Sequence, residues 1–163
     1  PETPKAWERP PQYTDEEEAM RAVYMVLTEQ DTLRGLIEII SEGAALDELA
    51  QIVLYKGYTE GKYTPDLMLL LAEPTIYLLI AIADYAEIKD YVLYEGEEDD
   101  PDTMIPEDDI TPVDMDGDGE PDEPQVQVKP SKESISDSLL SRIEKDLPSK
   151  VEEVVNVKEE EVE

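Results

Sequence analysis

Cysteine, histidine and phenylalanine are all absent from this 163-residue chain, and tryptophan occurs once. Without Cys there is no disulfide framework and no thiolate site for zinc or an iron–sulfur cluster. Without His the commonest general base and metal ligand is missing. A small secreted disulfide scaffold is therefore excluded, whereas an intracellular or particle-bound setting is compatible. Basic residues are scarce as well: 13 Lys and Arg stand against 43 Asp and Glu, for a net charge of -30. That balance offers no basic patch to release counterions from nucleic acid and no attraction to an anionic membrane surface. The expected partners are basic surfaces, cations or proteins.

Catalytic signatures are equally sparse. No P-loop, G-x-G-x-x-G or G-x-S-x-G occurs, and Ser41 is the one serine before residue 95. Paired carboxylates are abundant, but a helical segment of this size seldom builds a cleft around them. The chain reads as a non-enzyme. The presence of Pro1 at the start is read as following loss of an initiator Met or a propeptide, and no signal peptide is seen.

Charge is distributed unevenly. Residues 95–123 hold fifteen acids and no base, whereas 1–94 hold 18 acids and seven bases, and 124–163 hold ten and six. The apolar residues concentrate in the first segment, so that part alone has the surface to offset the entropy of ordering its backbone. The acidic stretch cannot do so and is expected to be disordered on its own. The resulting division is a Pro-rich extended arm at 1–13, a helical domain at 14–94, an acidic linker at 95–123 and a C-terminal arm at 124–163. The predicted fold is all-α: a small bundle of four to five helices over about 14–90, flanked by these arms.

Helical periodicity supports that reading. Thr14 and Glu17 stand at capping-box spacing before Ala19, Val23, Val26 and Leu27. A second helix starts at Asp31 or Thr32, carries Leu33, Leu36, Ile37 and Ile40, and is closed by Gly43. A third uses Leu46, Leu49, Ala50 and Val53 and ends near Gly57. Thr64-Pro65-Asp66 is a strong helix start. The apolar run from Leu67 to Ala83, interrupted by Glu73 and Pro74, reads as two helices or one kinked helix at the centre of the bundle. That interruption makes it a poor transmembrane segment. Glu73, the lone ionisable group in the run, is expected to cap backbone N–H groups at a helix start. In the C-terminal arm, Gln125–Val128 alternates like a brief strand. Residues 134–147 form a short amphipathic helix, with Ser134 and Asp137 at capping spacing and Pro148 as its stop.

The candidate partner-binding residues are Trp7 and Tyr13 in the N-terminal arm and Ile135, Leu139, Leu140, Ile143 and Leu147 in the C-terminal one. For Trp7, packing back onto its own domain is the commoner role, and anchoring in a neighbouring subunit is the alternative. The nine tyrosines all precede residue 95 and suit the rim of a core. One motif points to a metal: Asp114, Asp116, Asp118 and Asp122 match the start of a calcium loop, in which alternating carboxylates converge around a glycine turn. Gln125 occupies the place of the bidentate Glu, so this is no full EF-hand. An acidic, Gly-interrupted linker gives the same pattern. No other cofactor is implied.

The Pro-rich start with Trp7, the helical block KYTPDLMLLLAEPTIYLLIAIADYAEI and the low-complexity acidic tail together resemble small accessory virion proteins of tailed bacteriophages. The resemblance implies a structural role in a head, neck or tail, with multiple copies per particle and capsid, neck or tail proteins as partners. It also implies residence in the virion, or in host cytoplasm during assembly, and it transfers no site residue. Arms that order on binding would suit such a component. Two other readings stand beside it, an acidic scaffold or DNA-mimic decoy and a weak calcium-binding module. If the module reading holds, calorimetric titration with calcium gives heat that Asp116→Asn with Asp118→Asn abolishes; no heat with the native chain leaves only an acidic linker.

Overall fold

A computed structural model describes residues 3–94 and 130–161, with backbone alone from 157 onward. Among the described residues the protein is all-α, with five helices and no strand. They are α1 (Glu16–Leu27), α2 (Gln30–Ser41), α3 (Leu46–Thr59), α4 (Pro65–Tyr85) and α5 (Asp137–Glu161). Single 3₁₀ turns at Ala6–Glu8 and Lys132–Ser134 lead into the first and last of them.

The helix starts follow capping chemistry. At α1 the cap is Asp15 in place of the expected Thr14: its Oδ2 accepts the Glu18 N–H at 3.1 Å, and three glutamates follow in the first turn. A carboxylate at this position also favours the positive end of the helix. Thr64 Oγ1 accepts the Leu67 N–H at 3.2 Å, with Pro65 in the first turn, as the sequence predicts. At α3 the cap position is Ala45, which has no acceptor in its side chain. Its first-turn donors are met from afar: Leu46 N–H donates to the Val92 carbonyl at 2.9 Å and Asp47 N–H to that of Leu93 at 3.1 Å. The extended segment after α4 thereby closes one end of α3.

Three helices end in the same way. After α2, Gly43 adopts φ 104° while its N–H and that of Ala44 reach back to Ile40 and Ile39. After α3, Gly61 at φ 80° repeats the arrangement, with Lys62 N–H bonded to Gly57. These are Schellman closures, which need a left-handed residue. Thus α3 runs to Thr59 and passes through Gly57, where an added Cβ would overlap the Tyr63 ring, 2.6 Å from Cζ. After α4 the left-handed place is taken by Glu87 at φ 61°, where glycine would be less strained.

The apolar run from Leu67 to Ala83 forms one continuous helix, so Pro74 lies inside α4 and starts no second helix. Proline removes the N–H that the Leu70 carbonyl would otherwise accept, and an interior position costs about 3 kcal/mol. Burial offsets it: Leu71, Leu78, Leu79, Ile82 and Ala83 are fully enclosed. The helix touches α1, α2, α3 and α5, making it the hub of the bundle. By length and composition α4 could cross a membrane, yet it is packed here as a core helix against four others.

The C-terminal helix differs most from expectation. It spans Asp137–Glu161, capped by Ser136, whose Oγ accepts the Leu139 N–H at 3.3 Å, and it continues through Pro148. The reason is the apolar stripe: Ile135, Leu139, Ile143, Leu147, Val151 and Val154 are all buried, and the last two lie beyond the proline. Ending at Leu147 would leave those valines uncovered. The face packs on α2 and α4. Leu147→Ala should therefore lower unfolding free energy in urea by about 2–5 kcal/mol, while the exposed Glu152→Ala stays within about 0.5 kcal/mol. Equal, negligible effects would detach α5 from the core.

Candidate functional site: an apolar face on α3 and α4

Two helices carry more apolar surface than the core absorbs. On α3, Leu46, Leu49, Ala50 and Leu54 point inward, but Ile52 and Tyr55 lie on the opposite side, 58% and 60% exposed. On α4, Leu67 and Leu71 are buried whereas Leu69 and Leu70 between them are 72% and 58% exposed. A helix that is apolar all round normally has neighbours on every side.

The two helices are joined by a short turn and run side by side, making the most extensive contact among the described helices. Between their outer faces lies an open groove of about 800 Å³, lined by Ile52, Tyr55, Lys56, Met68, Leu69 and Ala72. Tyr55 is steadied by Tyr58, ring centroids 6.1 Å apart. Among the described residues no acid lines the groove, although acids outnumber bases threefold along the chain. The one charge they bring to it is the exposed Lys56, which makes no ion pair with any of them. Glu48 lies one turn before Ile52 and Asp66 one turn before Leu69, so exposed carboxylates stand at both ends.

The residues named from sequence are placed differently. Trp7 is 42% exposed, with Lys5 Nζ 5.1 Å above its ring. Tyr13 is half-buried against the core, and its N–H donates to the Lys62 carbonyl at 2.7 Å. Gln12 N–H donates to Gly61 at 3.0 Å, so the N-terminal segment lies along the turn between α3 and α4. Ile135, Leu139, Ile143 and Leu147 are spent on the protein's own core, with Leu140 half-buried beside them. Asp114, Asp116, Asp118 and Asp122 lie outside the described residues, as do the acidic linker and the alternating Gln125–Val128. Among the described residues no group of three or more acids could hold a metal ion.

Glu73 caps no helix start of its own. Its Oε1 accepts the backbone N–H of Ser131 at 2.9 Å, tying α4 to the turn that leads into α5. A second tie uses Ser138 Oγ, which donates to Glu17 Oε1 at 3.0 Å while Arg21 donates to both. Tyr24 lies between two cations of α5: the Arg142 guanidinium carbon is 5.1 Å and Lys150 Nζ 5.6 Å from its ring centroid. Its hydroxyl is buried with no hydrogen-bond partner. Burial raises the Tyr24 pKa, the Asp146 carboxylate adds to this, and Arg142 opposes it.

Sequence periodicity pointed to none of the exposed apolar residues of this face. The available signal was surplus: Ile52 and Tyr55 fall off the Leu46–Leu49–Ala50 stripe, and Leu69-Leu70 leave α4 without a polar side. No family model, curated protein or solved structure matches the chain.

Tyr63 closes the inner side of the same helix pair. Its hydroxyl donates to the Leu54 carbonyl at 2.8 Å, and burial, then the nearby Glu60, pushes its pKa from 10.0 to about 12. The neutral phenol is the form the fold favours, so its contribution is complete below pH 10 and is lost as pH rises through about 12. Urea denaturation across that range should show a steep alkaline loss of stability that Tyr63→Phe flattens. An unchanged alkaline limb in Tyr63→Phe would place the titrating group elsewhere.

Proposed function

We propose that this chain is a non-catalytic component of a larger assembly that docks through its helical domain. The observation that carries the reading is the exposed apolar face of Ile52, Tyr55, Leu69 and Leu70 on a chain otherwise crowded with acids. A soluble chain of net charge -30 gains nothing for its own stability from four large uncovered side chains. Covering them on a partner releases ordered water without burying a carboxylate, since among the described residues no acid lines the groove. The exposed Trp7 adds a second anchor of a type enriched at interfaces.

The absence of His and Cys supports a non-enzymatic role. Neither Tyr24 nor Tyr63 lines the α3–α4 groove. A virus particle is the setting that the chain's resemblance to tailed-phage accessory proteins suggests, with capsid, neck or tail proteins as partners. Internal use of the Ile135–Leu147 stripe shifts the docking role from a C-terminal arm to the α3–α4 face.

Velocity sedimentation of gently lysed source material, followed by detection of this chain, tests the reading. The chain should migrate in a particle far larger than its 18.4 kDa. Recovery entirely as free chain, before and after mild cross-linking, would overturn it.

A further inference from the structure

We infer that the α3–α4 groove takes a single amphipathic helix of another protein, one whose apolar stripe is flanked by basic residues. This rests on the assembly reading and names the occupant of its docking face. Two observations select that occupant over a second copy of the chain. The first is shape. The groove runs along α3 from Gln51 to Thr59, a length of about 12 Å at 1.5 Å per residue, with α4 as its other wall. Two parallel ridges with a trough between them fit one helix laid along the trough, presenting residues at i, i+3, i+4 and i+7.

The second is charge. Among the described residues no acid lines the floor, but exposed carboxylates stand at its ends, Glu48 on α3 and Asp66 on α4. Residues 1–94 carry 18 acids against seven bases, so the field around the groove is negative. A second copy would bring the same field and the same end charges into contact, whereas Lys or Arg flanking an apolar stripe meets them with opposite sign. Lys56 stands at the groove margin without an ion pair among the described residues, and an acid or carbonyl on the occupant opposite it would set the register.

The test uses the full chain and stapled helical peptides of about four turns with one shared apolar stripe. One peptide carries Lys and Arg on its flanks, a second carries Glu there, and a third has the basic residues but a scrambled stripe. Calorimetry should show binding of the first alone, with methyl NMR shifts confined to Ile52, Leu69 and their neighbours. Leu69→Glu, at a site exposed enough to leave the fold intact, should weaken it by roughly tenfold or more. Glu48→Lys with Asp66→Lys should reverse the preference between the first two peptides.

Equal affinity for both flank charges, binding of the scrambled peptide, or indifference to Leu69→Glu would each overturn the inference. So would concentration-dependent self-association, or attachment to zwitterionic lipid vesicles, that Leu69→Glu abolishes; these assign the face to a second copy or to a lipid surface. The two levels separate in sedimentation from source material. A Leu69→Glu chain that still enters the particle sinks the groove assignment and leaves the assembly reading standing. A native chain that enters no particle sinks the assembly reading, while the peptide titration decides the groove on its own.

Discussion

Burial of α4 is the constraint on which the rest of the molecule depends. Leu71, Leu78, Leu79 and Ile82 are wholly enclosed, and α1, α2, α3 and α5 each contact the helix they belong to. Cohesion has to come from there, because electrostatics works the other way. A chain with 43 acids and 13 bases repels itself on compaction. The ion pairs among the described residues, from Arg21–Glu17 to Arg142–Asp146, are surface pairs with side chains 28–85% exposed. Pairs of that kind contribute little each. Apolar contact around one central helix, with the backbone hydrogen bonds it shields, holds the fold.

The long helix α4 also explains how the C-terminal segment is placed. Glu73 on α4 bonds the Ser131 backbone, Glu17 and Arg21 on α1 hold Ser138, and Arg142 reaches the Met25 sulfur at 3.3 Å. These polar ties surround the stripe from Ile135 to Val154 and orient α5 across α2 and α4. One side of the bundle is committed by this to internal contact. Among the described residues nothing covers the outer side of α3 and α4 in this way, and its surplus of apolar side chains is the feature that a partner can use.

Two of the buried tyrosines, Tyr24 and Tyr63, show how polar groups are accommodated in such a core. Tyr63 places its hydroxyl on the Leu54 carbonyl and requires glycine at 57. Tyr24 leaves its hydroxyl unpaired but sets its ring between Arg142 and Lys150, whose charge the ring face attracts. In both, the phenol fixes one helix against another.

Sequence periodicity alone determined the helical class, the positions of α1 to α3 and the start of α4. The stripes Leu33–Leu36–Ile37–Ile40 and Leu46–Leu49–Ala50 are buried as spaced, and Thr64-Pro65 begins α4. These are local properties, decided by side chains a turn apart. Composition likewise excluded thiolate and imidazole chemistry. Tertiary structure decided the rest. Whether Pro148 ends a helix depends on what covers Val151 and Val154, and that cover comes from helices a hundred residues earlier. Val26 looked inward by spacing but is 41% exposed, because it lines an open cleft between α1 and α3 in place of a closed contact. Likewise, Leu69 and Leu71 are indistinguishable as residues two apart in an apolar run; one is 72% exposed and the other fully buried only because the bundle closes over one side of α4. Hydrophobicity is written in the chain, whereas its satisfaction depends on which other helices arrive.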